Sequence, residues 1–172
     1  MNFAVAMRSR TVRLDCRRFS RSHELPNMSQ PKAPAIHREE FVVPESAIDG
    51  NGHVNNVAFV QWMQDVATRH FDSGGVREAM EAAGGTWVAR SHKIVYLGPA
   101  FAGEHIQALT WIADFSRVRS LRRYKFLRAS DGKLLVRGET DWVFVNGKSG
   151  KPRSIPETIK QAFVTVSPER EP

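Results

Sequence analysis

The stretch DGNGHVNNVAFVQWMQDVATRHF (49–71) changes character at Asn55. Ahead of it, Asp49-Gly50-Asn51-Gly52 has the composition of a tight turn, where short polar side chains fold back on the backbone and glycine adopts positive φ. Beyond it, Phe59, Trp62, Met63 and Val66, with Val60, Met63 and Ala67, recur at three- and four-residue spacing. No Gly or Pro interrupts that period before Gly74-Gly75, so it predicts a helix of about four turns. The stretch therefore sets a carboxylate on a glycine-rich turn immediately before a helix N-terminus.

Upstream, Glu40-Phe41-Val42-Val43 predicts a short strand stopped by Pro44, with order beginning near Arg38. Downstream, 76–83 predicts a second, short helix, and the remainder is strand-like. Residues 86–97 are rich in β-formers and end at Gly98-Pro99. In 104–115, His105, Gln107, Leu109, Trp111, Ala113 and Phe115 share one face. Residues 120–128 and 134–146 pair through Asp131-Gly132, a hairpin dipeptide. In the latter, Leu134, Val136, Trp142 and Phe144 point one way, and Arg137, Glu139 and Asp141 the other. A short helix over 155–163 closes the chain. One long helix among long strands implies an α+β domain, with the helix covering one face of an antiparallel sheet.

The 172 residues give room for a single core, and 41% hydrophobic with 25% charged residues is ordinary for a soluble globular protein. No apolar run approaches the roughly 18 residues a membrane span needs. The single cysteine, Cys16, excludes an internal disulfide framework and a cysteine-based zinc site. It fits a reducing compartment, so a cytoplasmic protein is expected. Of the 25 basic residues, six arginines fall in 1–27 with only two acids, which leaves 19 bases against 16 acids elsewhere. That balance argues against nucleic acid as a partner. Residues 1–35 are expected to be a disordered basic tail, 36–165 the folded domain and 166–172 a C-terminal tail. The expected start is Met28, the alternative being that the arginine-bearing segment is a transit peptide.

The chemistry lies at the turn. A helix N-terminus leaves backbone N–H groups unbonded and partly positive, so amides around Asn56 and Val57 suit the oxygen of an acyl carbonyl as it becomes an oxyanion. Asp49 is placed either to attack that carbonyl or to take a proton from water. Read without a relative, the same residues also suit a plain turn, with Asn55 as N-cap.

Asp49-x-x-x-His53-Val54-Asn55-Asn56, followed by Phe59 and Trp62, resembles the signature of the 4-hydroxybenzoyl-CoA thioesterase-like hotdog family. Tyr96-Leu97-Gly98-Pro99-Ala100-x-x-Gly103-Glu104 resembles its strand–turn–strand segment, and Arg119-Ser120 ahead of Tyr124 fits the next strand. These matches span 38–163 in the expected order. The resemblance implies a hotdog fold, an antiparallel sheet wrapped around one long central helix. It implies an acyl-CoA thioesterase that needs no cofactor or metal, self-associating as a homodimer or a dimer of dimers with sites at the subunit interface. Carried over by position, Asp49 is the catalytic carboxylate and the Asn56 amide polarises the carbonyl. His53, from its place in the turn, either bonds and orients Asp49 or packs beneath the turn, and a supporting role rather than proton transfer is expected. Asn55, Phe59, Arg117, Arg119 and Ser120 fall in the substrate-binding positions, the last three in a segment that grips the phosphates of coenzyme A. Asp65, on the helix beyond Gln61, is a second candidate acid. Gln64 and Phe59 depart from the family's commoner Glu and Tyr, which leaves the acyl specificity open. A hydratase or dehydratase on the same fold, and a non-catalytic acyl-CoA-binding protein, are the rival functions. No Gly-x-Ser-x-Gly elbow, His-Glu-x-x-His pair or phosphate-binding glycine loop is present.

Overall fold

A computed structural model describes residues 33–172. Five antiparallel strands, β1 (Ile36–Val42), β2 (Gly85–Tyr96), β3 (His105–Phe115), β4 (Arg119–Arg128) and β5 (Leu134–Asn146), form one sheet in the order β1-β3-β4-β5-β2. Helix α1 (Asn56–Ser73) lies in the concave face, and the shorter α2 (Arg77–Ala82) and α3 (Glu157–Gln161) close one end. This is the α+β hotdog arrangement that the sequence motifs imply.

The helix settles there because its apolar stripe, Phe59, Met63, Val66 and Ala67, meets Ile106, Ala108, Tyr124, Phe126 and Val136 from three strands. Burying each large side chain contributes about 1.5–3 kcal/mol. Phe59 packs edge-on against both Trp62 and Phe126. At Gly138 of β5 any Cβ would come within 2.8 Å of the Met63 thioether, so the missing side chain lets the helix approach the sheet.

Strand β1 begins earlier than its apolar content suggests, at Ile36, because seven consecutive residues pair with β3 from Ile36↔Trp111 to Val42↔His105. Residues expected in the tails take part in the packing where they are described. Ala33 is buried in the cluster around Ile112 and Phe163, and Pro34 accepts a hydrogen bond from His70. At the other end Val166 packs on Leu109 and Trp111, and Glu171 pairs with Arg123. The expectations for 1–32, including the start at Met28 and the transit peptide, lie outside the described residues. In β3 both faces are covered. Ile106, Ala108 and Ile112 join the clusters beneath the helices, whereas Leu109 and Trp111 form the separate outer cluster with Val166. No described helix is long and apolar enough to cross a membrane.

Candidate active site

The turn folds on itself as its composition requires. The Gly52 N–H donates to the Asp49 carbonyl (3.0 Å) and the Asp49 N–H to the His53 carbonyl (3.0 Å). Gly52 sits at φ +77°, a region open to glycine without steric cost. The Asp49 carboxylate accepts the Asn51 N–H at 2.8 Å, which fixes its direction while leaving it partly open to solvent, at 23% exposure. His53 Nδ1 lies 4.0 Å from Asp49 Oδ1, too long for a hydrogen bond, and 3.4 Å from the Val54 carbonyl. Val54 is buried and donates to the Ala100 carbonyl, and Asn55 donates to Ala47, so the turn is clamped to the loops on either side.

Asn55 is the N-cap. Its side-chain oxygen accepts the Val57 N–H at 2.8 Å. That removes Val57 from the two amides proposed for the oxyanion, because its donor is already used. The Asn56 N–H has no acceptor among the described residues. It stands in the first turn of an 18-residue helix, where the partial positive charge is greatest.

Tyr96 opens the strand–turn–strand motif, which gave it no role in the site. Its hydroxyl donates to the Asn56 carbonyl (3.1 Å) across a separation of 40 residues, tying the helix start to the end of β2. Burial raises the pKa of this phenol. Phe59 lies in the core at 2% exposure, 6.0 Å from the Tyr96 ring, so it supports the floor of the site from below. Asp65 is bonded by Gln61 Nε2 at 2.8 Å, further along the helix surface.

Arg117, Arg119 and Ser120 are not beside Asp49 in one chain. The Asp49 turn neighbours Ala100, near the start of β3, whereas Arg117–Ser120 follow its end. Eleven residues of strand separate them, roughly 33 Å at about 3.3 Å per residue. Arg119 donates from Nε to Asp141 Oδ1 (2.8 Å) and from Nη2 to Oδ2, and this bidentate pair raises its pKa. Arg90 approaches the same carboxylate at 3.7 Å. Arg117 is exposed, and Ser120 is buried facing the helix side. No cluster of three or more potential metal-ligating side chains occurs among the described residues.

The sequence profile of the thioesterase-like superfamily matches residues 42–163, most of the chain. A search of curated protein sequences returned no match. Among solved structures, the chain is similar to a 1,4-dihydroxy-2-naphthoyl-CoA thioesterase from Synechocystis, with TM-score 0.67 and 21% identity over 74% of this chain and 94% of that one. It is also similar to a Staphylococcus aureus protein solved in complex with CoA, with TM-score 0.67 and 20% identity over 77% and 83%. A third similar structure is the probable thioesterase YbaW from Escherichia coli, with TM-score 0.68 and 15% identity over 73% and 97%. Matched by the family profile across its helix and all but the start of its sheet, the chain belongs to the thioesterase-like superfamily of hotdog-fold thioester hydrolases.

Proposed function

We propose that the protein is an acyl-CoA thioesterase in which Asp49 acts on a thioester carbonyl held by the Asn56 amide. The observation that carries this reading is the pairing of a fixed, solvent-reachable carboxylate with an unbonded amide at the start of a long helix. Water attacks the carbonyl carbon as Asp49 takes its proton, and negative charge collects on the oxygen at Asn56; the carbon–sulfur bond then breaks, the proton passes from Asp49 to the departing sulfur, and the free acid and coenzyme A leave. Direct attack by the carboxylate would pass through a mixed anhydride that water then opens. Both routes need Asp49 ionised. Asn55 and the Tyr96 hydroxyl hold the helix start in place. The 4.0 Å gap leaves His53 a supporting electrostatic role.

The working unit in this reading is a dimer joined along β2. That strand is a 12-residue sheet edge, exposed on both faces from Val88 to Lys93. A bare edge of this length invites pairing with another chain. Antiparallel pairing about its middle would lay Tyr96 of one copy beside the start of β2 in the other. Asp49 would then face the end of the second sheet that carries Arg117, Arg119 and Ser120, which one chain alone keeps far away.

Release of free thiol from a panel of aromatic, short and long acyl-CoAs tests the activity. At least one should be hydrolysed with kcat/KM in the ordinary enzymatic range of about 10⁴–10⁸ M⁻¹s⁻¹. Failure across the panel, or hydration of an enoyl-CoA without hydrolysis, would overturn the reading. Replacing Arg117 and Arg119 together by alanine should chiefly raise KM for acyl-CoA, with a smaller change for a thioester lacking the nucleotide. Equal losses on both substrates would assign the arginines to folding, with the Arg119–Asp141 pair as the structural cause.

A further inference from the structure

Strand β4 carries a charged residue on the wrong face for a solvated basic strand. Ser120, Arg122, Tyr124 and Phe126 alternate into the concave side, and Arg122 is buried at 5% exposure. Burying a guanidinium is costly unless an anion accompanies it. Among the described residues none does: Arg122 takes part in no ion pair there, and its hydrogen-bond partners there are neutral. Nη1 donates to His70 Nδ1 at 2.8 Å and to Thr110 Oγ1 at 3.2 Å.

Those partners are locked as acceptors. His70 Nε2 donates to the Pro34 carbonyl (2.8 Å), and the Thr110 hydroxyl donates to the Arg123 carbonyl (3.0 Å). Burial first, and then the Arg122 charge, lower the His70 pKa to about 3, so the imidazole stays neutral and its Nδ1 stays an acceptor. The network therefore orients Arg122 without neutralising it. All of its hydrogen bonds to described residues leave from Nη1, so the remaining donors of its five-proton fork have no partner among the described residues.

Arg122 lines a cavity of about 230 Å³ between the second half of α1, the sheet and the two short helices. Its walls are largely apolar, with Phe71, Trp87, Ile112 and Phe163 among them, and no acidic residue lines it. Ser120, buried beside Arg122, has a hydroxyl that bonds no described residue. An apolar cavity of about 150 Å³ takes benzene, so this one has room for a single ring or a short chain bearing a polar head. A guanidinium at the wall with no counter-charge among the described residues selects a head that is planar, anionic and able to accept two hydrogen bonds.

We propose that this cavity is a carboxylate-binding site for a small acid with an apolar body, held by Arg122 and Ser120. The same chemistry arises from a free acid or from an acyl thioester that carries a second, distal carboxylate. Ser120 also belongs to the segment that the proposed dimer brings towards the partner's Asp49, so the second source rests on that reading, whereas binding of a free acid is read without it.

The test uses benzoate and its neutral isostere benzamide on the full chain at constant ionic strength. Titration is followed by calorimetry and by tryptophan fluorescence, because Trp87 and Trp142 both line the cavity. Benzoate should bind at least ten-fold more tightly than benzamide, and Arg122→Gln should bring the two within about two-fold of each other. Should Arg122→Gln not fold, the wild-type comparison decides, with Ser120→Ala expected to weaken benzoate selectively. Equal affinity for the two probes, or no binding of benzoate, overturns the proposal. For the source, hydrolysis of a thioester ending in a distal carboxylate is compared with its methyl-ended counterpart. A preference for the former that Arg122→Gln removes assigns the site to the acyl group. Benzoate binding unaffected by acyl-CoA, without that preference, assigns it to a free acid. If no thioester is hydrolysed, the binding result alone still upholds or overturns the site.

Discussion

Ala89→Pro should convert the protein to monomers and reduce kcat/KM by about 10²-fold or more, the loss expected when positioning groups are displaced from a reacting centre. The ladder between β2 and β5 shows why this position isolates the edge. At its start Gly147 donates to the Gly84 carbonyl, and at its end Leu97 donates to the Leu135 carbonyl. Hydrogen bonding alternates along an antiparallel strand, so the N–H groups of Ala89 and His92 point away from β5. The irregularity between Ala89 and Ser91 absorbs the change of phase. Proline at 89 therefore removes no bond inside the chain, and far-ultraviolet circular dichroism should be unchanged. It does remove a donor, and adds bulk, on the side where a second copy pairs. Light scattering at assay concentration reads the outcome. A folded monomer with wild-type turnover would show that the site is complete in one chain. A dimer that keeps full activity would place the contact on another surface.

Much of the fold was legible because the strongest signals were local. The helix from Asn56, the 134–146 strand and the Asp131-Gly132 hairpin each depend on period or turn chemistry within a few residues. The beginning of β1 was not legible, because Ile36–Glu39 are held by pairing with a strand some 70 residues later. The helix-facing side of β3 was obscured for a different reason. Leu109 and Trp111 are as apolar as Ile106 and Ile112, since Val166 and Ile36 cover the outer face, and alternation carries no contrast when both faces are buried.

The candidate site divides in the same way. Asp49, Asn55 and the Asn56 amide belong to one continuous turn and helix start, so the motif could place them. Tyr96 reaches the helix start only through the closure of the sheet. Arg122 gave no warning, because Arg122 and Arg123 read alike in sequence. Strand alternation sends the first into the cavity wall and the second to an ion pair with Glu139. The arginines assigned to coenzyme A were found in sequence by resemblance, and their distance from Asp49 within one chain is what makes the dimer part of the proposal.

The central claim is that the Asp49 carboxylate performs the chemistry, and steady-state kinetics of Asp49→Asn on the best acyl-CoA test it most directly. Asparagine has nearly the same size, and its carbonyl oxygen can accept the Asn51 N–H as the carboxylate does. The turn, the cap at Asn55 and the unbonded Asn56 amide should therefore persist, which circular dichroism and the melting temperature establish first. What is lost is the negative charge, and with it the capacity to take a proton or attack a carbonyl. General-base assistance contributes about 10²–10⁴-fold, so kcat should fall at least that far with KM little changed. Asp65→Asn, which alters a side chain bonded by Gln61 on the helix surface, should cost far less. A folded Asp49→Asn protein that keeps near-wild-type turnover would contradict the account and turn attention to Asp65.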